Sequence, residues 1–506
     1  MKTRRAIIAV ALLIVASGSA RAEESWENLM SAGGSAASQG KLQEAEKLFE
    51  QARAKAEALD ARDPRLPQSL AGLASVYSEQ GKFDRALPLF EEALARARKA
   101  RGLDDLIVQT IRSDMAGMYA RQGRLDLAEP LLKQALVIFN RALDESDPRV
   151  MTCTINLGSY YLESGEYEKA RPLLEKGIAI FEKNYGRAEP MLAIYLSRLA
   201  ELDMKTSRFE ESEKLLRRAL IIAENAYGPD HAEVARCLDS LGNAYMLQAI
   251  AEKRLRKQEL IKMRRGRPTQ VELINTRNLL TEKAEPLFLK ALAIREKTLG
   301  LEHPDTALTL NNLGVLYQQE EDYEKAASYF ERSLKAAEHA RGPADISLAP
   351  GLANLAEVYK EQHRFEEAEK TLNRSISIIE KARGTGHHEL AAPLANLGIL
   401  LEQEGKLAFA ETYFRRALKI EETSLGKEHQ DLIQYLLNLA RVEKKLNRSG
   451  KAEPLYKRAL AISESKYGAD HLEVAVCLEE YAAFLSATGR TEEARALSKR
   501  AATLRK

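Results

Sequence analysis

The sequence lacks the features that mark an enzyme, a nucleic-acid-binding protein or a membrane-spanning protein. It contains no glycine-rich phosphate loop, nucleophile elbow or paired metal-ligand motif, so we predict no enzymatic activity, no metal and no cofactor. Its 76 basic and 74 acidic residues are interspersed, without the basic stripe expected of a nucleic-acid-binding protein. Beyond Ala16, no apolar run approaches the roughly 18 residues of a membrane-spanning helix.

The segment from Met1 to Ala22 has the pattern of a secretory signal peptide. A basic start from Lys2 to Arg5 precedes an apolar run from Ala6 to Ala16, and a small-x-small cleavage site ends at Ala22. We therefore expect an exported protein, periplasmic or extracellular, that is cleaved near Ala22. An uncleaved anchor and a cytosolic chain are the alternatives. Cleavage would remove four basic residues and leave 72 basic against 74 acidic residues.

One unit repeats with a period of 42 through most of the remaining chain, and its clearest copy runs from His303 to Gly342. Each copy has two helical patterns separated by a short break. One small residue per copy recurs at this constant step, except for a step of 72 between the fifth and sixth: Ala74, Ala116, Gly158, Ala200, Gly242, Gly314, Ala356, Gly398, Ala440 and Ala482. One such hairpin cannot bury its apolar face alone, so neighbouring hairpins must stack. The pattern predicts an all-α fold, an α-solenoid of about eleven antiparallel helix pairs over residues 25–506.

The unit resembles the tetratricopeptide repeat through Leu313, Gly314, Tyr317, Ala326 and Phe330. Its period of 42 is similar to that of the form found in kinesin light chains and in many bacterial repeat proteins. The resemblance implies a right-handed superhelix whose first helices line a concave face. It also implies a scaffold for protein interactions, but it does not specify the partner.

A recurring polar position precedes the small residue by two in five copies: Asn156, Asn312, Asn354, Asn396 and Asn438. In kinesin light chains the matching asparagines help to hold an extended peptide by its backbone, and the resemblance implies the same role here. An amide can donate to and accept from a peptide backbone. The alternative is that each amide bonds between helices as part of the scaffold. Other residues interrupt the ladder: Asp114, Arg198, Ser240 and Glu480.

The one long step contains an insertion, residues 248–277, inside the repeat around Gly242. It is the most basic part of the chain: Lys253, Arg254, Arg256, Lys257, Lys262, Arg264, Arg265 and Arg267. We expect both flanking helices to lengthen into a projecting hairpin. This basic arm is either a solvated extension or a docking arm for an acidic partner or an anionic envelope surface.

Three further features have structural interpretations. Cys153, Cys237 and Cys477 stand at equivalent positions of separate repeats, too far apart to pair, and are expected to be free core thiols. Histidines recur in the loops before the first helices at His231, His303, His429 and His471, with His387 nearby. We expect them to cap those loops, and the alternative is a metal site, which would need them to converge. The repeat around Ala200, with Asp203 where most copies have tyrosine, is the least regular and is expected to be a weak point or a contact site.

These observations favour a non-catalytic scaffold or adaptor that binds a peptide or protein segment in its concave groove. The alternative is an envelope-assembly or tethering protein that uses the basic arm to bind an anionic surface or polymer. The sequence does not specify the oligomeric state.

Overall fold

A computed structural model describes residues 25–38, 41–60, 62–262 and 278–505. The expected signal peptide and much of the basic arm lie outside the described residues. The chain divides into two compact units, one ending at Pro229 and one beginning at Asp230. No described helix is long and apolar enough to cross a membrane.

The described part of each unit is a row of helix hairpins. The first unit holds α1 (Trp26–Ser38), α2 (Leu42–Glu57), α3 (Arg65–Glu79), α4 (Phe83–Arg101), α5 (Leu106–Arg121), α6 (Leu125–Ala142), α7 (Pro148–Glu163), α8 (Tyr167–Tyr185), α9 (Met191–Lys205) and α10 (Phe209–Tyr227). The second holds α11 (Ala232–Lys262), α12 (Glu285–Thr298), α13 (Pro304–Gln319), α14 (Tyr323–Arg341), α15 (Ala349–Glu361), α16 (Phe365–Arg383), α17 (Ala391–Gln403), α18 (Leu407–Leu425), α19 (Leu432–Lys445), α20 (Ser449–Tyr467), α21 (Val474–Ala487) and α22 (Thr491–Leu504). The predicted eleven pairs and the α-solenoid architecture are confirmed.

Small residues allow the two helices of a hairpin to approach closely. A Cβ atom placed on Gly314 of α13 would lie only 2.6 Å from Cδ1 of Phe330 on α14, whose ring is fully buried. Phe288 and Phe414 make the same close approach to Gly242 and Gly398. Aromatic rings therefore pack directly against the backbone of the facing helix.

Arginines connect successive second helices at a constant spacing. Arg332 and Arg374 bind Glu296 and Glu338 on the preceding second helix at 2.9 and 2.6 Å. The same pairing joins Arg218 to Glu182, Arg416 to Glu380, Arg458 to Glu422 and Arg500 to Glu464. Single exposed ion pairs contribute about 0–1 kcal/mol each, so these pairs add little stability individually. Because the spacing is constant, all of these pairs can form only when successive repeats stack in this register. A stack shifted in register would break them.

The N-terminal hairpin packs as a cap on the array. Trp26, the only tryptophan, donates a hydrogen bond from its indole Nε1 to Ser69 Oγ on α3 at 2.8 Å. Gly33 of α1 would place a Cβ atom 3.0 Å from the Phe49 ring on α2. Gly33 therefore allows the same close approach as the glycines of the regular repeats.

The unusual residue of the repeat around Ala200, Asp203, is paired with the preceding second helix. In regular copies a tyrosine of the first helix donates to a glutamate of the preceding second helix, as Tyr161 does to Glu129 at 3.1 Å. Asp203 takes the place of that tyrosine, and Arg171 takes the place of that glutamate. The two bind at 2.5 Å, with the Asp203 side chain only 2 % exposed.

A second reversal of the same kind occurs in the repeat around Ala440. Glu443 of α19 stands where other copies have tyrosine and is fully buried. It pairs with Arg415 of α18. Two repeats earlier, the same two positions hold Glu331 and Tyr359, and Glu331 accepts a hydrogen bond from the Tyr359 hydroxyl at 2.7 Å. Donor and acceptor have therefore exchanged helices at both sites while the connection between repeats is kept.

Candidate functional site

Three asparagines of the predicted ladder belong to the scaffold. Asn156, Asn312 and Asn438 are buried, with 5 %, 4 % and 3 % of their surface exposed. Asn156 Nδ2 donates to Ser113 Oγ on the preceding first helix at 3.4 Å. Asn438 Oδ1 accepts from Gln434 on its own helix at 3.0 Å. Asn156 thus connects two first helices, whereas Asn438 bonds within its own helix, and burial leaves little of these three side chains exposed to a ligand.

Asn354 and Asn396 differ from the other three. Both are half-buried, and their side-chain amides make no hydrogen bond within the described part of the chain. They occupy the same position on α15 and α17, two first helices that lie side by side. Two partly exposed amides on neighbouring first helices are thus available to donate hydrogen bonds to a ligand and to accept hydrogen bonds from it.

Small apolar residues surround these two amides. Pro350 and Ala353 lie within one turn of Asn354, and Ala392 and Ile399 lie within one turn of Asn396. Pro350 and Ala392 are exposed, and Ala353 and Ile399 are half-buried. We call this surface the first-helix face and define it by six residues: Pro350, Ala353, Asn354, Ala392, Asn396 and Ile399.

The charges beside the first-helix face are already paired. Lys360 Nζ contacts Glu357 at 2.6 Å and Glu361 at 3.3 Å. On the other side, Lys445 Nζ contacts Glu402 at 2.9 Å. The face is therefore close to neutral and suits recognition of a backbone and small apolar groups better than recognition of a charged ligand.

The residues that interrupt the ladder also favour the scaffold interpretation outside Asn354 and Asn396. Arg198, 5 % exposed, reaches Glu163 on the preceding first helix at 3.5 Å and Glu201 on its own helix at 3.4 Å. Removal from water raises the pKa of the partly buried Asp114 carboxyl from 3.8 to about 7, against the opposing effect of the Arg121 charge. The ladder position thus holds a charged residue that is paired in Arg198 and one whose charged form is disfavoured in Asp114.

The raised pKa of Asp114 makes the stability of the native chain depend on pH. The native carboxyl keeps its proton up to about pH 7, whereas the unfolded one loses it near 3.8. Stability therefore falls as the pH rises from about 4 to about 7 and then levels off. We expect Asp114→Asn, which restores the ladder residue, to remove this fall and to be the more stable protein at pH 8. Thermal unfolding of both proteins between pH 4 and pH 8 measures this difference. Melting temperatures that change with pH in the same way in both proteins would contradict the prediction.

The basic arm begins as a continuation of α11. This helix continues well past Gly242 and ends at Lys262, whereas α13 ends at Gln319, soon after Gly314. The first flanking helix is therefore longer, as predicted. On the other side the described chain resumes with a π-helical segment, Asn278–Ala284, that leads into α12. Whether the arm forms a hairpin stays a prediction, because residues 263–277 lie outside the described chain.

Part of the charge of the arm is used within the chain. Lys253 Nζ donates to the backbone oxygen of Gln319 at 3.2 Å and lies 3.8 Å from Glu321 Oε1. Arg254 is exposed. The side chains of Arg256, Lys257 and Lys262 and the whole of Arg264, Arg265 and Arg267 lie outside the part that the structure describes. Lys253 thus stabilises the junction of the arm with the turn after α13, and a docking role for the arm stays a prediction.

The histidines and cysteines have the structural roles expected of them. Each loop histidine accepts a backbone N–H two residues later through Nδ1, as His303 does from Asp305 at 3.1 Å. None of the three cysteines forms a disulfide bond, and all three are buried. Burial raises the pKa of the Cys153 thiol to about 12 and that of Cys477 to about 11. The thiols of Cys153 and Cys477 are therefore protonated at neutral pH.

Two kinds of connection in the sequence are recognised only against the structure. The arginine connections between second helices recur at one spacing, from Glu338 to Arg374 and its equivalents. The reversed pairs join Arg171 to Asp203 and Arg415 to Glu443 across neighbouring repeats. The first signal is visible in the sequence as a pair of fixed spacing, whereas the two reversed pairs have separations of 32 and 28 residues. The separation of Asn354 and Asn396 from the buried asparagines has no such signal.

Comparisons with two Rap proteins agree with the helical-repeat fold. An apo form of RapI aligns over 79 % of this chain and 97 % of its own, with a TM-score of 0.50 and 15 % identity. A Rap protein complexed with competence and sporulation factor aligns over 79 % and 96 %, with a TM-score of 0.51 and 14 % identity. A Podosopora anserina protein described as a kinesin light chain, with nearly identical TPR-like repeats, aligns over 39 % and 93 %, with a TM-score of 0.31 and 24 % identity.

A comparison with curated proteins finds no match. The tetratricopeptide repeat matches the sequence in seven segments: 27–99, 108–183, 191–253, 275–339, 347–423, 403–465 and 431–506. Together they span nearly all of the described hairpins. Repeats of this kind generally form non-catalytic scaffolds for protein interactions. The chain belongs to the tetratricopeptide repeat family.

Proposed function

We propose that the chain is a non-catalytic adaptor that binds an extended peptide segment on the first-helix face. The observation that carries the proposal is the pair of half-buried amides of Asn354 and Asn396, which make no hydrogen bond within the described chain. Each offers a donor and an acceptor to a peptide backbone. The small apolar residues between them offer a surface for peptide side chains.

The geometry supports an extended ligand more than a folded one. The two amides occupy the same position on adjacent first helices. Hydrogen bonds that they make to a bound peptide would therefore recur along the array, as backbone N–H and C=O groups recur along an extended strand. The neutral surroundings of the face favour recognition through the backbone and small side chains. The Rap protein found in complex with competence and sporulation factor has a related helical-repeat fold, which is compatible with this use of the scaffold.

We also propose that the protein acts after export, because the segment up to Ala22 has the pattern of a signal peptide. Detection of a mature N-terminus near Ala22 in the exported fraction would support this proposal. A full-length chain that stays in the cytosol would contradict it.

A displayed library of random peptides tests the peptide-binding proposal. We expect peptides selected on the mature protein to bind Asn354→Ala/Asn396→Ala about tenfold more weakly, because two hydrogen bonds of about 0.5–1.5 kcal/mol each are lost. Titration calorimetry with the selected peptides measures the change in affinity. Asn373→Ala is the matched control, since Asn373 is a side chain of the second helix α16 that lies away from the first-helix face.

The thermal stability of the double variant decides between the two roles of the ladder. A binding role predicts weaker binding with little change in the melting temperature. Unchanged affinity, or a large loss of stability, would assign Asn354 and Asn396 to the scaffold as well. Deletion of residues 248–277, which restores the regular period, separates this proposal from its rival. Binding to anionic vesicles or polymers that is lost with the arm would favour the tethering protein.

A further inference from the structure

Three side chains with metal-binding atoms lie together in the loop between α16 and α17. His387 caps a short 3₁₀ turn, His388–Leu390, through its Nδ1 atom. One ligand atom from each of His387, His388 and Glu389 lies within 4.8 Å of the other two. His387 is half-buried, whereas His388 and Glu389 are exposed, so the cluster is open to solvent. The centroids of the two imidazole rings are 4.5 Å apart.

This loop differs from its four counterparts by one residue. Each counterpart has a histidine followed two residues later by an acid: His231 and Glu233, His303 and Asp305, His429 and Asp431, and His471 and Glu473. The residue between them is alanine, proline, glutamine or leucine. Here it is His388. Only this loop of the five therefore combines two imidazoles and a carboxylate.

The capping bond of His387 is also the longest of the five. Its Nδ1 accepts from the Glu389 N–H at 3.4 Å, compared with 3.1 Å at His231 and His303, 3.2 Å at His471 and 3.3 Å at His429. A neutral imidazole that accepts at Nδ1 carries its proton on Nε2, so metal binding requires a change in the state of the ring. At His387 the bond that this change would break is the longest of the five.

The geometry of the loop leaves the cluster accessible from outside, because His388 and Glu389 are both exposed. The exposed face of the loop leaves further coordination positions to water or to a group from another molecule.

We propose that His387, His388 and Glu389 bind a divalent transition-metal ion of the Zn²⁺, Ni²⁺ and Cu²⁺ class. Imidazole nitrogens suit these three ions, and a carboxylate oxygen is a common third ligand of zinc. Three protein ligands leave the coordination incomplete. The site is separate from the first-helix face and does not depend on the peptide-binding proposal.

Titration calorimetry of the untagged full chain with Zn²⁺ tests this site. We expect one ion per chain, with affinity at least about tenfold lower for His388→Gln, since even loss of a supporting partner costs a metal site about 10–100-fold. That variant converts the loop to the arrangement at His429, Gln430 and Asp431. His429→Gln is the matched control and should bind as the parent does. Conversely, Gln430→His should add a second ion.

A spectroscopic measurement identifies the ligands independently. With Cu²⁺, electron paramagnetic resonance of the parent should show coupling to two nitrogens, and that of His388→Gln to fewer. Circular dichroism should give the same melting curve for the apo forms of the parent and His388→Gln, because His388 is exposed. Equal Zn²⁺ affinity of parent and His388→Gln would overturn the proposal. So would the absence of binding by the parent at about 1 mM Zn²⁺, because a dissociation constant above that concentration is too weak for a functional site.

Discussion

Asp203→Ala is expected to cost about 1–3 kcal/mol of local stability, because it removes the buried carboxylate that binds Arg171 and leaves that guanidinium, among the described residues, only its contact with Glu175 at 3.3 Å. Asp203 is 2 % exposed and binds Arg171 at 2.5 Å, with Arg208 at 3.6 Å. Repeat arrays do not unfold in one step, so the loss should be read locally. Hydrogen exchange of the amides of α8 and α9 reports the free energy of local opening.

The regular repeats supply a rescue variant for the same position. The double substitution Asp203→Tyr/Arg171→Glu recreates the pair that Tyr161 and Glu129 form at 3.1 Å. We expect it to recover most of the stability that either single substitution removes. A double variant as unstable as the sum of its single variants would show that Asp203 and Arg171 act independently. That result would contradict the interpretation of this site as a reversed tyrosine–glutamate pair.

Phe330→Ala is expected to destabilise the hairpin of α13 and α14 by about 3–5 kcal/mol, because it removes a fully buried ring and leaves a cavity. The ring is 0 % exposed and packs against Gly314. Hydrogen exchange of α13 and α14 measures the loss, and urea unfolding followed by circular dichroism gives a second measure. A loss below about 1 kcal/mol would mean that the site collapses around the missing ring.

The repeat around Ala356 provides the control for this packing. There, Ala356 and Leu372 occupy the positions of Gly314 and Phe330, and both are buried. Gly314→Ala alone should destabilise, since its Cβ atom would lie 2.6 Å from the Phe330 ring. Phe330→Leu alone should leave a void. The double variant should be more stable than the sum of the two single changes predicts, because it adopts a pair already used in this chain.

The fold follows from the sequence because each hairpin repeats one local solution. The spacing of Leu313, Gly314, Tyr317 and Phe330 predicts two helices, their contact and the stacking of copies. The histidine caps follow similarly from their regular place before the first helices. Such features depend on residues within one repeat or its neighbour. The fixed period of 42 identifies the equivalent residues in every other copy.

The candidate site was less predictable because burial depends on the neighbouring helix. Asn312 and Asn354 have the same place in the repeat, yet Asn312 is 4 % exposed and Asn354 is half-buried. The expectation that the repeat around Ala200 is a weak point or a contact site considered Asp203 without its partner Arg171 in the preceding repeat, and it stays a prediction. A comparison of paired positions in adjacent repeats would have found that connection.

Photo-crosslinking from the two faces of the array tests the adaptor proposal most directly. A photoreactive phenylalanine analogue at Ala353 or Ala392 lies on the first-helix face, and one at Asn373 lies on a second helix. The adaptor account predicts one protein adduct from both first-helix positions, none from position 373, and none from the first-helix positions after Asn354→Ala/Asn396→Ala. Equal adducts from both faces, or adducts unaffected by loss of the two amides, would contradict it.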